Sequence, residues 1–501
     1  MDNLAPGVVL PDWIALRSKT HSEVLAVSSS IESLSYKQLE IEVSHAAGRL
    51  LSLIKKKPRP IASLTKSGVD FAIALHSTIR ILRPLLPLNT RLTVSELIWQ
   101  LQHAEVEYLL FDESNKVVAE QLAAICEVKL IQTSELRDKS SSPVSGSRSE
   151  LLPTDPLAIV FTSGTTGNPK ATVLSHRNFY WSAVASEANI GVSGNDRWLA
   201  CMPLFHVGGL SILVRSAIYG TSVVIHENFD ENLVNVALNS GDVTLLSVVP
   251  TMLERILSTQ PTKLKYPDTI RAVLLGGGPA TPELIRRGQL QGLPLLQTYG
   301  LTEVTSQVTT VPISSAFERA GSAGLPLLAA TVCLDRGDGA EPTLGEPGQI
   351  LVKGATVTSG YLQENTAVSD KIKKGWLHTG DLAIRDDMGF LTIQGRSDDL
   401  IVTGGENVHP AEVEQIVESY PGVLEAVVVG LDDAEWGKKI ASVVVVEANS
   451  TIVEEELASY VRDHIAGYKV PRIWLISSDP LPRTASGKLK RYAVVEFLFN
   501  F

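Results

Sequence analysis

The middle of the chain alternates apolar runs with amphipathic segments. Three uninterrupted apolar runs, at residues 243–249, 270–275 and 293–297, predict buried strands, and helices are predicted at Thr251–Leu257 and from Pro282. Runs of this kind are typical of parallel strands that helices cover on both faces. We therefore predict an α/β fold, in which a large N-terminal domain has mixed or parallel sheets covered by helices.

The pattern changes after residue 396 and predicts a second, smaller domain. We place the domains at 1–396 and 397–501, because the polar segment that begins at Gln394 suits a hinge. The second domain is predicted to be a compact α+β unit. Its elements are helices at Pro410–Ser419 and Val453–Ile465 and strands at Glu425–Gly430 and Ala441–Glu447. A low-complexity segment at Lys139–Glu150 predicts a solvated linker.

Composition narrows the classes of function. The chain has 501 residues and a formal net charge of −11, which disfavours nucleic acid or an anionic membrane as the main partner. Its three cysteines form no CxxC pair, so a disulfide framework or zinc site is not expected. The start has no basic, apolar leader, and charges interrupt the apolar segment at residues 69–88. We expect a cytoplasmic protein without a transmembrane segment.

Glycine-rich and hydroxyl-rich segments follow several predicted strands. GGGPA begins at Gly276, TYGLTE begins at Thr298, and FTSGTTGNPKAT begins at Phe161. Ligands of parallel sheets bind at the carboxyl ends of strands, and loops of backbone N–H groups and hydroxyls can surround phosphate oxygens. The third segment is not a Walker A loop, because no Ser or Thr directly follows Lys170. A flexible surface turn is the alternative interpretation.

Seven motifs taken in chain order extend this interpretation. TSGTTGNPK, GGGPA, YGLTE, LHTGD, QGRSDD, GGENVHPAEVE and LPRTASGKLKR together resemble the acyl-adenylate-forming superfamily, over nearly the whole chain from Trp13 to Arg491. That superfamily includes acyl-CoA synthetases, firefly luciferase and the adenylation domains of peptide synthetases. The resemblance implies an acid–thiol ligase that uses ATP and Mg²⁺, forms AMP through an acyl-adenylate, and transfers the acyl group to coenzyme A (CoA).

The resemblance also assigns roles at the nucleotide site. Lys488 would bridge the carboxylate and the α-phosphate, Thr302 would donate to the α-phosphate, and Glu303 would bind Mg²⁺. Asp381 would hold the ribose, and Arg396 would reach the ribose or the phosphate. Structural alternatives stay open for three of these residues. Lys488 would then be a solvated lysine, Glu303 an acid that caps a turn, and Asp381 part of a simple TGD turn. The complete set assigned to ATP or AMP is Thr162, Ser163, Gly164, Thr165, Thr166, Gly167, Lys170, Gly277, Gly278, Pro279, Thr298, Tyr299, Gly300, Thr302, Asp381, Arg396 and Lys488.

The acyl and CoA steps rest on fewer residues. His206 resembles the aromatic gate beside the acyl carbon, and Arg215, nine residues later, would meet a second carboxylate of the substrate. Gly276 and Gly300 complete the acyl set. The alternatives are that His206 is a packed core histidine and that Arg215 is a solvated helix residue. The resemblance further implies that the C-terminal domain rotates about Asp398 and presents Gly404 and Gly405 to CoA.

Within the superfamily, the amino-acid sequence around Arg215 most resembles a branch that activates an aromatic acid with two carboxylates. Another aromatic or medium-chain acid, a non-catalytic acyl- or nucleotide-binding relative, and a carrier-loading adenylation module are the alternatives. A side activity with oxygen, the exact acid and assembly into a homo-oligomer stay open.

Overall fold

By packing contacts, the chain divides into two compact units in its computed structural model. One unit comprises residues 1–332 and 352–377, and the other comprises residues 333–351 and 378–501. The division falls within strands and does not coincide with the predicted boundary at 396/397, because a packing division follows contact density whereas a hinge concerns motion. The boundary at 396/397 and the hinge stay predictions. The structure describes residues 9–54, 59–144, 146, 151–162, 169–261, 264–362, 371–403, 406–433, 436–448, 450–483 and 489–499.

Helices and strands alternate along most of the chain, as the apolar pattern predicts. The helices are α1 (Trp13–Thr20), α2 (Tyr36–Leu53), α3 (Val69–Arg80), α4 (Val94–His103), α5 (Lys116–Cys126), α6 (Thr133–Leu136), α7 (His176–Ile190), α8 (Val207–Tyr219), α9 (Glu231–Asn239), α10 (Pro250–Thr259), α11 (Pro282–Leu290), α12 (Pro410–Glu418), α13 (Glu454–His464) and α14 (Arg491–Phe499).

The strands are mostly short, and many are fully buried. They are β1 (Leu25–Ser28), β2 (Ser33–Ser35), β3 (Ile61–Leu64), β4 (Leu85–Pro87), β5 (Tyr108–Phe111), β6 (Lys129–Gln132), β7 (Pro156–Thr162), β8 (Lys170–Ser175), β9 (Arg197–Ala200), β10 (Ser222–Ile225), β11 (Leu245–Val248), β12 (Ala272–Leu275), β13 (Leu295–Tyr299), β14 (Thr309–Thr310), β15 (Leu325–Pro326), β16 (Ala330–Asp335), β17 (Gly348–Gly354), β18 (Ile372–Lys373), β19 (Trp376–Arg385), β20 (Leu391–Arg396), β21 (Ile401–Thr403), β22 (Glu406–Val408), β23 (Val423–Asp433), β24 (Gly437–Val446) and β25 (Ile473–Ser477).

Two large sheets form the first unit. The nine-stranded sheet has the order β15-β14-β13-β12-β11-β9-β10-β1-β2, and its strands β9 to β13 are all parallel. The six-stranded sheet has the order β6-β5-β3-β4-β7-β8, and only its β7–β8 pair is antiparallel. Every side chain of β11 and β12 is buried, as expected for strands covered on both faces. The predicted α/β class is confirmed.

The second unit contains an α+β core near its C-terminal end. Strands β23 and β24 form a long antiparallel pair, and β25 adds to β24 in parallel. Helix α12 begins with Pro410 at its first position, where a missing N–H leaves no hydrogen bond unmade. Its buried residues Val413 and Val417 pack in one core with Val428 and Val444 of the strands.

Part of the predicted linker is docked rather than freely solvated. The N–H of Val144 donates to the carbonyl of Ser44 at 2.9 Å, and the ring of His45 in α2 lies 3.2 Å from the carbonyl oxygen of Ser141. Backbone hydrogen bonds need no apolar side chains, which is why composition alone missed this contact. Within the described ranges, every helix is too short or too polar to cross a bilayer.

Candidate active site

The parallel strands bring several predicted site residues to one edge of the nine-stranded sheet. His206 follows β9, Gly276 follows β12, and Thr302 follows β13. Strands β9, β11, β12 and β13 are neighbours and run in the same direction, so their carboxyl ends share this edge. The structure thus gathers His206, Gly276 and Thr302 where ligands of such sheets bind.

Two glycines let the backbone segments at this edge approach each other closely. A Cβ at Gly276 would lie 2.8 Å from Cγ2 of Thr298 and 3.0 Å from its carbonyl oxygen. A Cβ at Gly300 would overlap the carbonyl oxygen of Ser306. Any larger residue would force these segments apart, so both glycines have a packing role beside the acyl role that the resemblance assigns.

Glu303 is a buried carboxylate with a defined partner. It lies in the short 3-10 turn Thr302–Val304 with 6% of its surface exposed, and its Oε1 accepts from the hydroxyl of Tyr361 at 2.9 Å. The ammonium of Lys371 lies 3.9 Å from the same oxygen. A carboxylate has further lone pairs, and Mg²⁺ prefers oxygen ligands shared with phosphates and water. Glu303 therefore fits the predicted magnesium role.

The two ends of the predicted phosphate loop are held by a β-hairpin. Thr162 ends β7 and Lys170 begins β8, and these two residues pair across the hairpin. The ammonium of Lys170 lies over the ring of Tyr361, 4.8 Å from its centroid. Ser163, Gly164, Thr165, Thr166 and Gly167 lie outside the described residues, so their roles stay predictions.

Two of the predicted acyl residues, His206 and Arg215, are placed by helix α8. His206 precedes the first turn, and its ring packs edge-on against Phe205, with 4.6 Å between ring centroids. Arg215 lies in the same helix, about two and a half turns further on. It is 3% exposed, so the interpretation of a solvated helix arginine is wrong: α8 is buried around nearly its whole circumference.

The guanidinium of Arg215 is buried with little compensation. Among the described residues, its Nε and one terminal nitrogen have no hydrogen-bond partner, and its central carbon lies 5.1 Å from the ring centroid of Trp198. Burial lowers the pKa of Arg215 from its ordinary value. Burying a cation without a counter-charge costs free energy, and a bound anion would offset this cost. The arrangement therefore suits an anion-binding site.

Asp381 and Arg396 form an ion pair within the second unit. They oppose each other on strands β19 and β20, and a terminal nitrogen of Arg396 lies 3.0 Å from Oδ1 of Asp381. The pair keeps the carboxylate fixed and partly exposed, as a ribose-binding group requires. The side chain of Asp398 and the residues Gly404, Gly405 and Lys488 lie outside the described part of the chain, so their roles stay predictions.

Sequence reasoning missed Tyr361. It stands alone after Gly360 in a segment without periodicity, 58 residues beyond Glu303, so no spacing rule connects the two. Its hydroxyl contacts the predicted magnesium ligand and its ring contacts the lysine of the phosphate loop. Only the folded arrangement shows this relationship.

The fold and site define the class to which this protein belongs. A family model described as AMP-binding enzyme matches residues 14–362, and one described as AMP-binding enzyme C-terminal domain matches residues 412–488. The chain belongs to this family of AMP-binding enzymes. These matches confirm the predicted family. Together with the similar enzymes below, they also confirm the acid–thiol ligase class.

Similar proteins from Bacillus share one activity in their names. The chain is 38% identical to the 2-succinylbenzoate–CoA ligase of Bacillus licheniformis, over 96% of this chain and 98% of that protein. It is 34% identical to the o-succinylbenzoate CoA synthetase of Bacillus subtilis, solved with the acyl-adenylate intermediate OSB-AMP, with a TM-score of 0.89 and coverage of 97% and 98%. The same enzyme solved with ATP and magnesium ion gives a TM-score of 0.88 at 34% identity, with coverage of 97% and 99%. The names of these relatives agree with the branch that the sequence around Arg215 most resembles.

Proposed function

We propose that this protein converts 2-succinylbenzoate, ATP and CoA to 2-succinylbenzoyl-CoA, AMP and pyrophosphate, a step of menaquinone or phylloquinone biosynthesis. The observation that carries the substrate assignment is the buried guanidinium of Arg215, whose Nε and one terminal nitrogen have no hydrogen-bond partner among the described residues. Arg215 lies on α8, the helix that follows the gate residue His206. A monocarboxylic fatty acid would leave that charge unmatched, whereas the benzoate carboxylate would neutralise it. The names of the similar enzymes support the same assignment.

In the first half-reaction, the succinyl carboxylate attacks the α-phosphorus of ATP and pyrophosphate leaves. Both reacting groups are anionic, so the residues must bring them together and offset their charge. We assign Lys488 to the carboxylate and α-phosphate, Thr302 to the α-phosphate, and Lys170 to the departing phosphates. Mg²⁺ held by Glu303 supplies further positive charge when bound. Asp381 is assigned to the ribose, and Arg396 to the ribose or the phosphate.

In the second half-reaction, the thiol of CoA attacks the acyl carbon of the adenylate and AMP leaves. We propose that the domain beyond the hinge at Asp398 rotates between the steps, withdraws Lys488, and brings Gly404 and Gly405 to the pantetheine arm. Each half-reaction then uses its own arrangement of one active site. A cytoplasmic location and CoA as the acceptor belong to this proposal.

A panel of carboxylic acids tests the substrate assignment. CoA-dependent release of AMP should be measured with 2-succinylbenzoate, benzoate, succinate, a medium-chain fatty acid and another aromatic dicarboxylate. We expect the highest kcat/KM for 2-succinylbenzoate, because its benzoate carboxylate would neutralise Arg215 while its succinyl carboxylate is activated. Preference for the fatty acid or for benzoate would overturn the substrate while leaving the ligase class in place.

A further inference from the structure

A short segment of the first unit connects the phosphate loop to the turn that carries Glu303. In residues 355–362, the N–H of Leu362 donates to the carbonyl of Ala171 at 2.8 Å, next to Lys170. In the same segment, the N–H of Thr358 donates to the carbonyl of Glu303 at 2.7 Å. Backbone hydrogen bonds therefore fix the segment to both parts of the proposed nucleotide site.

Tyr361 projects from this segment toward both charged groups. Its hydroxyl donates to Oε1 of Glu303 at 2.9 Å, and its ring lies 4.8 Å from the ammonium of Lys170. Tyr361 is 5% exposed and Glu303 is 6% exposed, so water competes little for this hydrogen bond.

The two contacts act on different charges. A phenol that donates to one carboxylate oxygen restricts rotation of the carboxylate and leaves the other oxygen available to a cation, as hydrogen-bond partners of metal ligands commonly do. The negative face of an aromatic ring attracts an ammonium group and restricts its position. The side chain of Tyr361 can thus orient the carboxylate of Glu303 for the metal and the ammonium of Lys170 for the phosphates.

We propose that Tyr361 is a positioning residue for nucleotide activation: its hydroxyl orients Glu303 toward Mg²⁺, and its ring holds Lys170 for the phosphates of ATP. The inference rests on the proposed function, since both partners act on ATP only in an adenylating enzyme. The effect of Tyr361 passes through Glu303 and Lys170, and the two parts of this effect are separable by substitution.

Calorimetric titration with ATP, in excess Mg²⁺ and in EDTA, separates the two parts. Tyr361→Phe keeps the ring and removes the hydroxyl, so the gain in ATP affinity on adding Mg²⁺ should fall about tenfold while affinity in EDTA is retained. Tyr361→Leu removes both, and its affinity in EDTA should also fall, by about three- to tenfold. Each variant should likewise need more Mg²⁺ for half-maximal adenylation.

Tyr36→Phe is the matched control. The hydroxyl of this buried tyrosine donates to the backbone carbonyls of Ser216 and Thr221, so its loss should lower stability and leave the Mg²⁺ dependence of ATP binding unchanged. The inference is overturned if Tyr361→Phe matches the wild type in its Mg²⁺ dependence, or if it weakens binding equally in EDTA and Mg²⁺. Failure of the wild type to bind ATP would instead contradict the proposed function.

Discussion

The guanidinium of Arg215 lies over the indole ring of Trp198, 5.1 Å from the ring centroid, and the indole N–H donates to the hydroxyl of Ser247 at 3.1 Å. This cation–π contact is worth about 0.5–2 kcal/mol, which is less than the penalty of burying a charge without hydrogen bonds. The buried charge of Arg215 therefore lowers the stability of the folded protein when no anion is bound.

Arg215→Met should stabilise the protein and weaken substrate binding. Methionine fills a similar volume without a charge, so we expect the free energy of unfolding to rise by about 1–3 kcal/mol. Urea unfolding at pH 7.5 measures this change. A variant that is less stable than the wild type would show that Arg215 has a structural partner.

Arg215→Ala should raise the apparent KM for 2-succinylbenzoate by about tenfold or more, which corresponds to about 1.5–3 kcal/mol for a hydrogen bond to a charged group. The apparent KM for ATP should scarcely change. Steady-state kinetics with each substrate varied in turn provides the measurement. An unchanged KM for the acid would remove Arg215 from the acyl site.

Lys488→Ala should separate the half-reactions. Formation of the acyl-adenylate should be lost, because several kcal/mol of charge stabilisation disappear from the transition state. Thioester formation from a supplied acyl-adenylate should remain largely intact if the domain has rotated by then. Lys490→Ala, in the same basic segment, is the matched control and should spare both steps. Equal slowing of both steps by Lys488→Ala would contradict the two-conformation mechanism.

Two buried histidines predict a loss of stability in acid. Burial lowers the pKa of both His76 and His176 to about 4. An unfolded histidine titrates near pH 6.5, so the unfolded chain binds more protons between pH 6.5 and 4, and the free energy of unfolding falls as pH drops through this window. The effect is at most about 3 kcal/mol for each histidine.

His176→Phe tests this acid sensitivity, because phenylalanine retains a ring against Trp13 and cannot titrate. The variant should lose less stability than the wild type between pH 7 and pH 5 when both are unfolded in urea. Parallel pH profiles for the two proteins would show that His176 is not among the groups that titrate on unfolding.

The parallel core and its strand-end site could be predicted from sequence because local patterns encode them. The apolar runs ending before Gly276 and near Thr298 identify buried strands, and strand direction places the following loops together. The burial of Arg215 could not be predicted in this way. Helix α8 is apolar on nearly all sides, which predicts a buried helix, but a long arginine side chain can extend from such a helix to solvent. The pattern therefore does not decide where the guanidinium lies.

Other features depend on contacts between distant parts of the chain. Tyr361 meets Glu303 across 58 residues, and no motif spacing records that contact. The packing division within β16, β17 and β19 reflects which strands gather the most contacts, whereas polar composition suggested only the hinge near Asp398. Non-local packing, rather than local propensity, decides both features.

The nucleotide product tests the central claim most directly. The enzyme should be incubated with ATP, Mg²⁺, CoA and 2-succinylbenzoate, and the nucleotides and thioester should be quantified chromatographically over a time course. We predict one AMP and one pyrophosphate for each thioester formed, with no reaction when the acid is omitted. Stoichiometric formation of ADP and phosphate, or thioester formation without AMP, would contradict the account.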